Sequence, residues 1–256
     1  MSIPKIIHYC WFGGKPKPEL AQKCIRSWKK FCPDYEIIEW NEGNFDIATA
    51  PLYVRQAHEA DRWAFVTDYV RLKALTEMGG IYMDTDVEVI KPLDPYLKHR
   101  AFAGFEHPTR VQTGLLACEK DFPLFVDFMR HYDTATFLKA DGSHDITTNV
   151  EVLTNLCVGR GLQLNGTYQE VDGFVVYPTE VFCLVDYDTE KLHKTRKTVV
   201  IHWFAASWHT EEELRVLKEE KLRLKREQQS NLRYAIGTKL FGEKGYDRLK
   251  QILKGK

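Results

Sequence analysis

The sequence lacks net charge: 36 lysines and arginines are offset by 36 aspartates and glutamates in 256 residues. A chain built mainly to grip nucleic acid usually shows a basic balance, so that class is set aside. It lacks long apolar runs, and no stretch approaches the ~18 residues of a membrane span. The opening MSIPKIIHYCWFGG has no charged region followed by an apolar run, so no secretory leader is expected. Cysteine is present six times (Cys10, Cys24, Cys32, Cys118, Cys157, Cys183) but never as CxxC or at a tight metal spacing. In their apolar or helical contexts these are read as reduced core thiols, which points to the cytosol. Internal repeats and low-complexity linkers are also missing.

What is present is the alternation of an α/β domain with a largely parallel sheet. KIIHYCWF reads as a strand closed by Gly13-Gly14, and PELAQKCIRSWKKF as a helix with Pro18 at its start. YEIIEW is a second strand. A helix then runs from about Asp61 to Met78, stopped by Gly79-Gly80. IYM leads into Asp84, and VEVI continues extended beyond it. AFAGFE, TGLLAC and TVVIHWF read as later strands; FPLFVDFMRHY and NVEVLTNLCVGR read as later helices.

Asp84 and Asp86 stand out because they interrupt an apolar segment at the carboxyl end of a strand, where open α/β sheets bind ligands. Two carboxylates in one confined place are costly unless a cation shares them. Hard divalent ions such as Mg²⁺ or Mn²⁺ take one or two carboxylates plus substrate phosphates. In extended chain, alternate residues point the same way, so both acids are expected to address one ion. On the preceding helix, Asp68 falls among Phe65, Leu72 and Leu75, with Arg71 beside it. The two form an i,i+3 ion pair, or both face a pocket at the helix–strand junction, where Asp68 accepts from sugar hydroxyls and Arg71 donates to oxygen. His202, ending the strand TVVIHW, is either a core histidine or a third ligand for the ion. In HDITTNVE, Asp145 and Asn149 are open as acceptor-side groups or as helix caps.

The run AFVTDYVRLKALTEMGGIYMDTDVEVIKPL resembles the signature of the DXD-containing sugar transferases of glycosyltransferase family 32, and is similar to the catalytic core of the clostridial glucosylating toxins. IPKIIHYCWFGG resembles that family's first strand and VIHWFAASW its closing motif; Thr67 stands where serine is commoner. The resemblance implies a GT-A fold: a Rossmann-like nucleotide-diphospho-sugar transferase with a mixed, largely parallel sheet flanked by helices. It implies a nucleotide-sugar donor, expected to be a UDP-sugar, an Mn²⁺ or Mg²⁺ cofactor, and transfer with retention. It makes Asp86 the principal metal ligand, puts Asp84 on the ribose and the metal, and places Asp68 and Arg71 on the transferred sugar with Thr67 and Tyr82 nearby. Tyr9 and Trp11 fall on the base-binding strand, as stacking surfaces or as ordinary core aromatics. Ser207 and Trp208, with His202, become diphosphate or metal contacts.

The catalytic domain is expected over residues 1–210. From Glu211 to the last residue, thirteen basic residues face eight acidic ones, a balance of +5, punctuated by Leu214, Leu217, Leu222 and Leu224. This reads as a basic helical extension, either packed back by its leucines or lying on an anionic membrane. Together these readings give a cytoplasmic enzyme, peripheral on the inner face of the plasma membrane if the extension binds there. It would extend a glycan or lipid-linked glycan in bacterial surface polysaccharide synthesis. Two rival readings are a non-catalytic nucleotide-sugar-binding protein and a haloacid-dehalogenase-type phosphatase with Asp84 as nucleophile.

Overall fold

In the computed structural model the described residues are 3–183 and 194–205, together with Arg215 and Glu219 taken singly. The chain divides into two units, Met1–Ala205 and Ala206–Lys256, and every strand and helix named in this article belongs to the first. The expected extension over 211–256 lies outside the described residues, those two positions excepted.

The elements are, in order, β1 (Ile6–Cys10), α1 (Glu19–Phe31), β2 (Glu36–Trp40), α2 (Leu52–Glu59), α3 (Trp63–Met78), β3 (Gly80–Met83), β4 (Val87–Val89), β5 (Ala101–His107), β6 (Arg110–Val111), β7 (Leu115–Cys118), α4 (Pro123–Thr134), α5 (Asn149–Gly159), β8 (Gln169–Val171), β9 (Phe174–Tyr177), α6 (Thr179–Phe182) and β10 (Val200–His202). The main sheet runs β2-β1-β3-β7-β5-β9-β8, with β6 hooked onto β5. β2, β1, β3, β5 and β9 run one way, and β6, β7 and β8 oppose them. The expected mixed, largely parallel sheet flanked by helices is therefore present.

Helices α2 to α5 cover one face around Val54, Val66, Phe125, Phe128 and Leu153. The other face carries α1, α6 and a separate two-stranded ribbon of β4 with β10, around Trp28, Met83, Phe102 and Phe182. Ala21, Cys24 and Trp28 recur at helical spacing, which turns one side of α1 onto the ribbon. Fully burying a side chain such as Trp28 is worth roughly 3 kcal/mol. Its indole N–H donates to the Val87 carbonyl at 2.7 Å, and Ser27 Oγ accepts from Val89 N at 2.9 Å, so α1 fixes β4 in place. All six cysteines are free and buried. Among the described residues no helix is long and apolar enough to cross a membrane.

Two expectations need correction. The Asp84–Asp86 segment is not extended: Val87 N donates to Asp84 O at 3.0 Å, closing a tight turn. The reason is topological, because β3 belongs to the main sheet and β4 to the ribbon, and the chain crosses between them here. Helix α3 begins at Trp63 rather than near Asp61, since Asp61 takes a left-handed φ of 56° that ends the α2 segment. β8, β9 and α6 are additions that the sequence pattern does not announce. The Gly79-Gly80 stop is confirmed and has a cause. Both residues have positive φ, and a side chain on Gly79 would sit 2.8 Å from the Lys120 backbone nitrogen.

Candidate active site

The carboxyl end of β3 delivers Asp84 and Asp86 to the edge of the sheet, and the antiparallel pairing of β10 with β4 delivers His202 opposite Val87. One ligand atom from each of Asp84, Asp86 and His202 lies within 4.8 Å of the others. His202 Nε2 is 3.5 Å from Asp86 Oδ1. The segment after β10 wraps the turn: Trp203 N donates to the Asp86 carbonyl at 3.1 Å, and Ala205 N donates to Asp86 Oδ2 at 2.8 Å. Phe204 stacks on the imidazole at 4.1 Å between centroids.

Three observations fit this set to a divalent cation. His202 Nδ1 is buried with no nitrogen or oxygen partner, and the Cys183 thiol is a neighbouring side chain that interacts with the imidazole besides Asp86. Gly114 leaves space where a Cβ would lie 2.7 Å from the imidazole Cε1 and 3.2 Å from Asp84 Oδ2. The donor set itself, two carboxylates and one imidazole, suits Mn²⁺ better than Mg²⁺. Without a cation, burial opposes charge on both His202 and Asp86. Their mutual attraction wins, holding the imidazole well above its usual range and the carboxyl below its own.

Behind this cluster runs a chain of buried polar groups. Arg71 Nη1 lies 3.3 Å from Asp84 Oδ1, and Nη2 lies 2.9 Å from Asp68 Oδ1. Nη1 also donates to the Thr113 carbonyl at 2.9 Å, and the guanidinium lies 4.5 Å from the Tyr82 ring centroid. Tyr82 donates to Asp84 Oδ1 at 2.9 Å. Asn149 donates to Asp68 Oδ1 and accepts from Thr113 Oγ1 at 2.9 Å. Burial pushes the Asp68 carboxyl up to about 7 against the pull of Arg71. Removing one partner of so buried a pair costs on the order of 3–5 kcal/mol, because the other charge is left uncompensated. An Asp84 carboxylate held by Tyr82 and Arg71 is a stabilised ligand rather than a free nucleophile, which tells against the phosphatase reading.

Of the residues singled out in the sequence, Asp68, Arg71, Tyr82, Asp84, Asp86 and His202 converge here. Of the two readings of Asp68 and Arg71, the structure shows the i,i+3 ion pair, which also backs the aspartate turn. Thr67 donates to Ala64 O at 2.7 Å and flanks Arg71 from within α3. Tyr82 is enclosed, and its role in the structure is to hold Asp84 rather than to face a ligand. Tyr9 is likewise a core aromatic: it packs edge-on to Trp28 at 5.4 Å and donates to Glu39, so stacking on a base is not available to it. Its inward side of β1 decides this. Trp11, just past β1, is half-buried, with its N–H on the Lys15 carbonyl and the Lys17 ammonium 5.7 Å from its ring. Ser207 and Trp208 lie outside the described residues. Asp145 accepts from Thr147 in a local turn, while Asn149 reaches the network.

Sequence reasoning passes over Thr113, Gly114 and Glu106. Glu106, near the end of β5, is pushed up to about 7 by burial, with His202 and Arg110 opposing the rise. Its signal is readable, since an acid ending an apolar strand is the same feature that marks Asp84. Thr113 and Gly114 act through backbone and small size, which leave no pattern.

Comparison with known proteins bears on the same residues. Residues 18–103 match the family described as glycosyltransferase sugar-binding region containing DXD motif, a stretch that includes Asp68, Arg71, Asp84 and Asp86. The chain is similar to inositol phosphoceramide mannosyltransferase 3 of Schizosaccharomyces pombe, at 28% identity over 143 residues, covering 53% of this chain and 39% of that protein. A mannosyl phosphorylinositol ceramide synthase of Saccharomyces cerevisiae is 29% identical over 145 residues, covering 51% and 36%. The chain thus spans well under half the length of these curated relatives. Among solved structures, a PaToxG glycosyltransferase superposes with TM-score 0.47 and 20% identity, over 62% of this chain and 69% of that one. A glycosyltransferase involved in glycosylating the major capsid of PBCV-1 gives TM-score 0.46 and 14% identity over 79% and 95%.

Proposed function

We propose that this chain is a metal-dependent glycosyltransferase of GT-A type that moves a sugar from a nucleotide-sugar donor to a hydroxyl of a glycan acceptor. The observation that carries this is the convergence of Asp84, Asp86 and His202 on one point, backed through Arg71 by Asp68. Those three would hold the cation, which when bound supplies positive charge to the departing diphosphate. The anomeric C–O bond breaks and its electron pair leaves with the nucleoside diphosphate. The acceptor oxygen forms the new bond and gives up its proton, which a phosphate oxygen of the departing diphosphate takes up. Arg71 and Tyr82 hold Asp84 in place, and a preorganised arrangement of this kind needs no rearrangement during reaction. By the family resemblance of the signature run, Asp68 and Arg71 would address the transferred sugar and Trp11 the base; Ser207 and Trp208, expected on the diphosphate, lie outside the described residues.

Retention and a uridine nucleotide follow from the family resemblance in the signature run. The names of the fungal relatives add mannose to the sugars to be tried and a phosphoinositol lipid to the acceptors, beside a bacterial surface glycan. The testing experiment incubates the purified chain with Mn²⁺ and a panel of UDP-sugars and GDP-mannose, reading release of nucleoside diphosphate. Slow self-hydrolysis of one donor that stops with chelator supports the reading. Donor binding without release from any donor, with or without glycan acceptors, would leave a binding protein instead.

A further inference from the structure

At the far end of the β4–β10 ribbon from His202 lies a cavity of about 390 Å³. Lys91 at its edge is five residues beyond Asp86, about 15 Å of extended chain. Its wall is aromatic. Tyr177 stands edge-on to Tyr96 at 5.3 Å and to Tyr168 at 5.2 Å, and its hydroxyl bonds His99 Nε2 at 2.8 Å, which fixes the ring. Tyr168 is 51% exposed. The rim is basic, formed by Lys91, Arg196 and Lys197 against the single acid Glu180.

This rim is built rather than incidental. Thr195 N donates to Thr198 Oγ1 at 3.0 Å, Lys197 N donates to Thr195 Oγ1 at 3.1 Å, and the Lys91 ammonium holds the Arg196 carbonyl. That pins the 195–198 turn to the end of β4 and leaves the Arg196 guanidinium without a hydrogen-bond partner among the described residues. Lys197 is answered by Glu180 at 2.8 Å. Nothing in the metal-centred site uses any of these groups.

We infer that this cavity is a separate carbohydrate site for an anionic sugar unit. The volume is in the range of small-ligand pockets, which combine aromatic walls with a few polar groups. Tyrosine offers an apolar face and a polar tip, which suits the mixed surface of a sugar ring. Arginine presents a planar fork matched to carboxylate or phosphate. The sugar ring lies against Tyr168 and Tyr177, and its anionic substituent meets Arg196, with Lys197 beside it.

The test uses the full chain, without nucleotide or metal, and three probes: glucose 6-phosphate, glucose and inorganic phosphate. Saturation-transfer NMR reads ring-proton contact, and titration calorimetry reads affinity. Glucose 6-phosphate is expected to bind with its ring protons saturated, and at least tenfold more weakly in Arg196→Gln. In Tyr168→Ala its ring-proton signal should fall by more than half. Binding should survive in Asp86→Ala, with circular dichroism confirming that each variant is folded. Three results overturn the inference: no binding of glucose 6-phosphate at 10 mM, on the order of the weakest affinities worth measuring; equal binding of inorganic phosphate, which marks an anion site only; or loss in Asp86→Ala with none in Arg196→Gln, which moves the ligand to the aspartate turn.

Discussion

Replacing Gly114 by alanine tests the metal centre without touching a ligand. The new Cβ would lie 2.7 Å from His202 Cε1, 3.1 Å from Nδ1 and 3.2 Å from Asp84 Oδ2. Reaching an ordinary contact of 3.4 Å requires a displacement of 3.4 − 2.7 = 0.7 Å between residue 114 and the imidazole. The imidazole has little room, being stacked on Phe204 and facing Asp86. Moving the backbone instead disturbs the aspartate turn, because the Gly114 carbonyl accepts from Asp84 N at 2.8 Å. Metal–ligand distances tolerate about 0.2 Å, so either adjustment spoils the set. Disturbing groups that position ligands typically costs 10–100-fold in metal affinity, and the overpacking itself about 1–3 kcal/mol of stability. The assay is Mn²⁺ binding by calorimetry or paramagnetic relaxation, with a thermal melt in chelator. Gly159→Ala is the control, since nothing lies within 4 Å of its Cβ position. The expected result is Mn²⁺ affinity at least tenfold weaker in Gly114→Ala and unchanged in Gly159→Ala. Wild-type affinity in a folded Gly114→Ala protein would refute the assignment of Asp84, Asp86 and His202 as one ligand set.

Asp86→Ala should abolish Mn²⁺-dependent donor binding and turnover while the protein still melts cooperatively; full activity, or wild-type activity in excess chelator, would contradict the metal assignment. Asp68→Asn should lower turnover while binding of free nucleoside diphosphate changes little, and equal loss of both would reduce Asp68 to a structural partner of Arg71. The same variant has a pH signature. Because burial raises the folded Asp68 to about 7, above its unfolded value, the folded state holds an extra proton between about pH 4 and 7. The contribution is fully present below pH 4 and is lost as pH rises through 7, so stability in chelator falls with pH across that window. Asp68→Asn should remove up to about 1.4 kcal/mol per pH unit of that slope, measured by urea melts at pH 4.5 to 7.5; an unchanged slope would show that Asp68 is ionised throughout. For residues 211–256, with a balance of +5, co-sedimentation with anionic vesicles should be strong at low salt and weaker at physiological salt. Absence at both, or persistence after deleting the segment, would refute the membrane reading.

How far these residues can be read in sequence depends on what kind of signal each leaves. Asp84 and Asp86 are legible because charge inside an apolar run is expensive, and expense calls for a reason. Asp68 and Arg71 are legible for the same cause on a helix, although α3 shows little amphipathic pattern, being covered on most sides by α2, α4 and the sheet. His202 can be suspected but not placed, because only the Val87–His202 pairing brings residue 202 to residue 86, and antiparallel register between distant strands is not written in local composition. The aspartate segment reads as extended because alternation looks alike in a strand and across a strand-to-strand crossing; the Val87–Asp84 hydrogen bond that distinguishes them depends on β4 leaving the main sheet. Tyr9 stays undecided in sequence between base-stacking surface and core aromatic because composition does not say which side of β1 faces α1, and Trp28 on that helix settles it as core. Gly114 shows the limit most plainly. Its contribution is a missing side chain beside two ligands from other segments, so it acquires meaning only once β3, β7 and β10 have brought Asp84, residue 114 and His202 to one point.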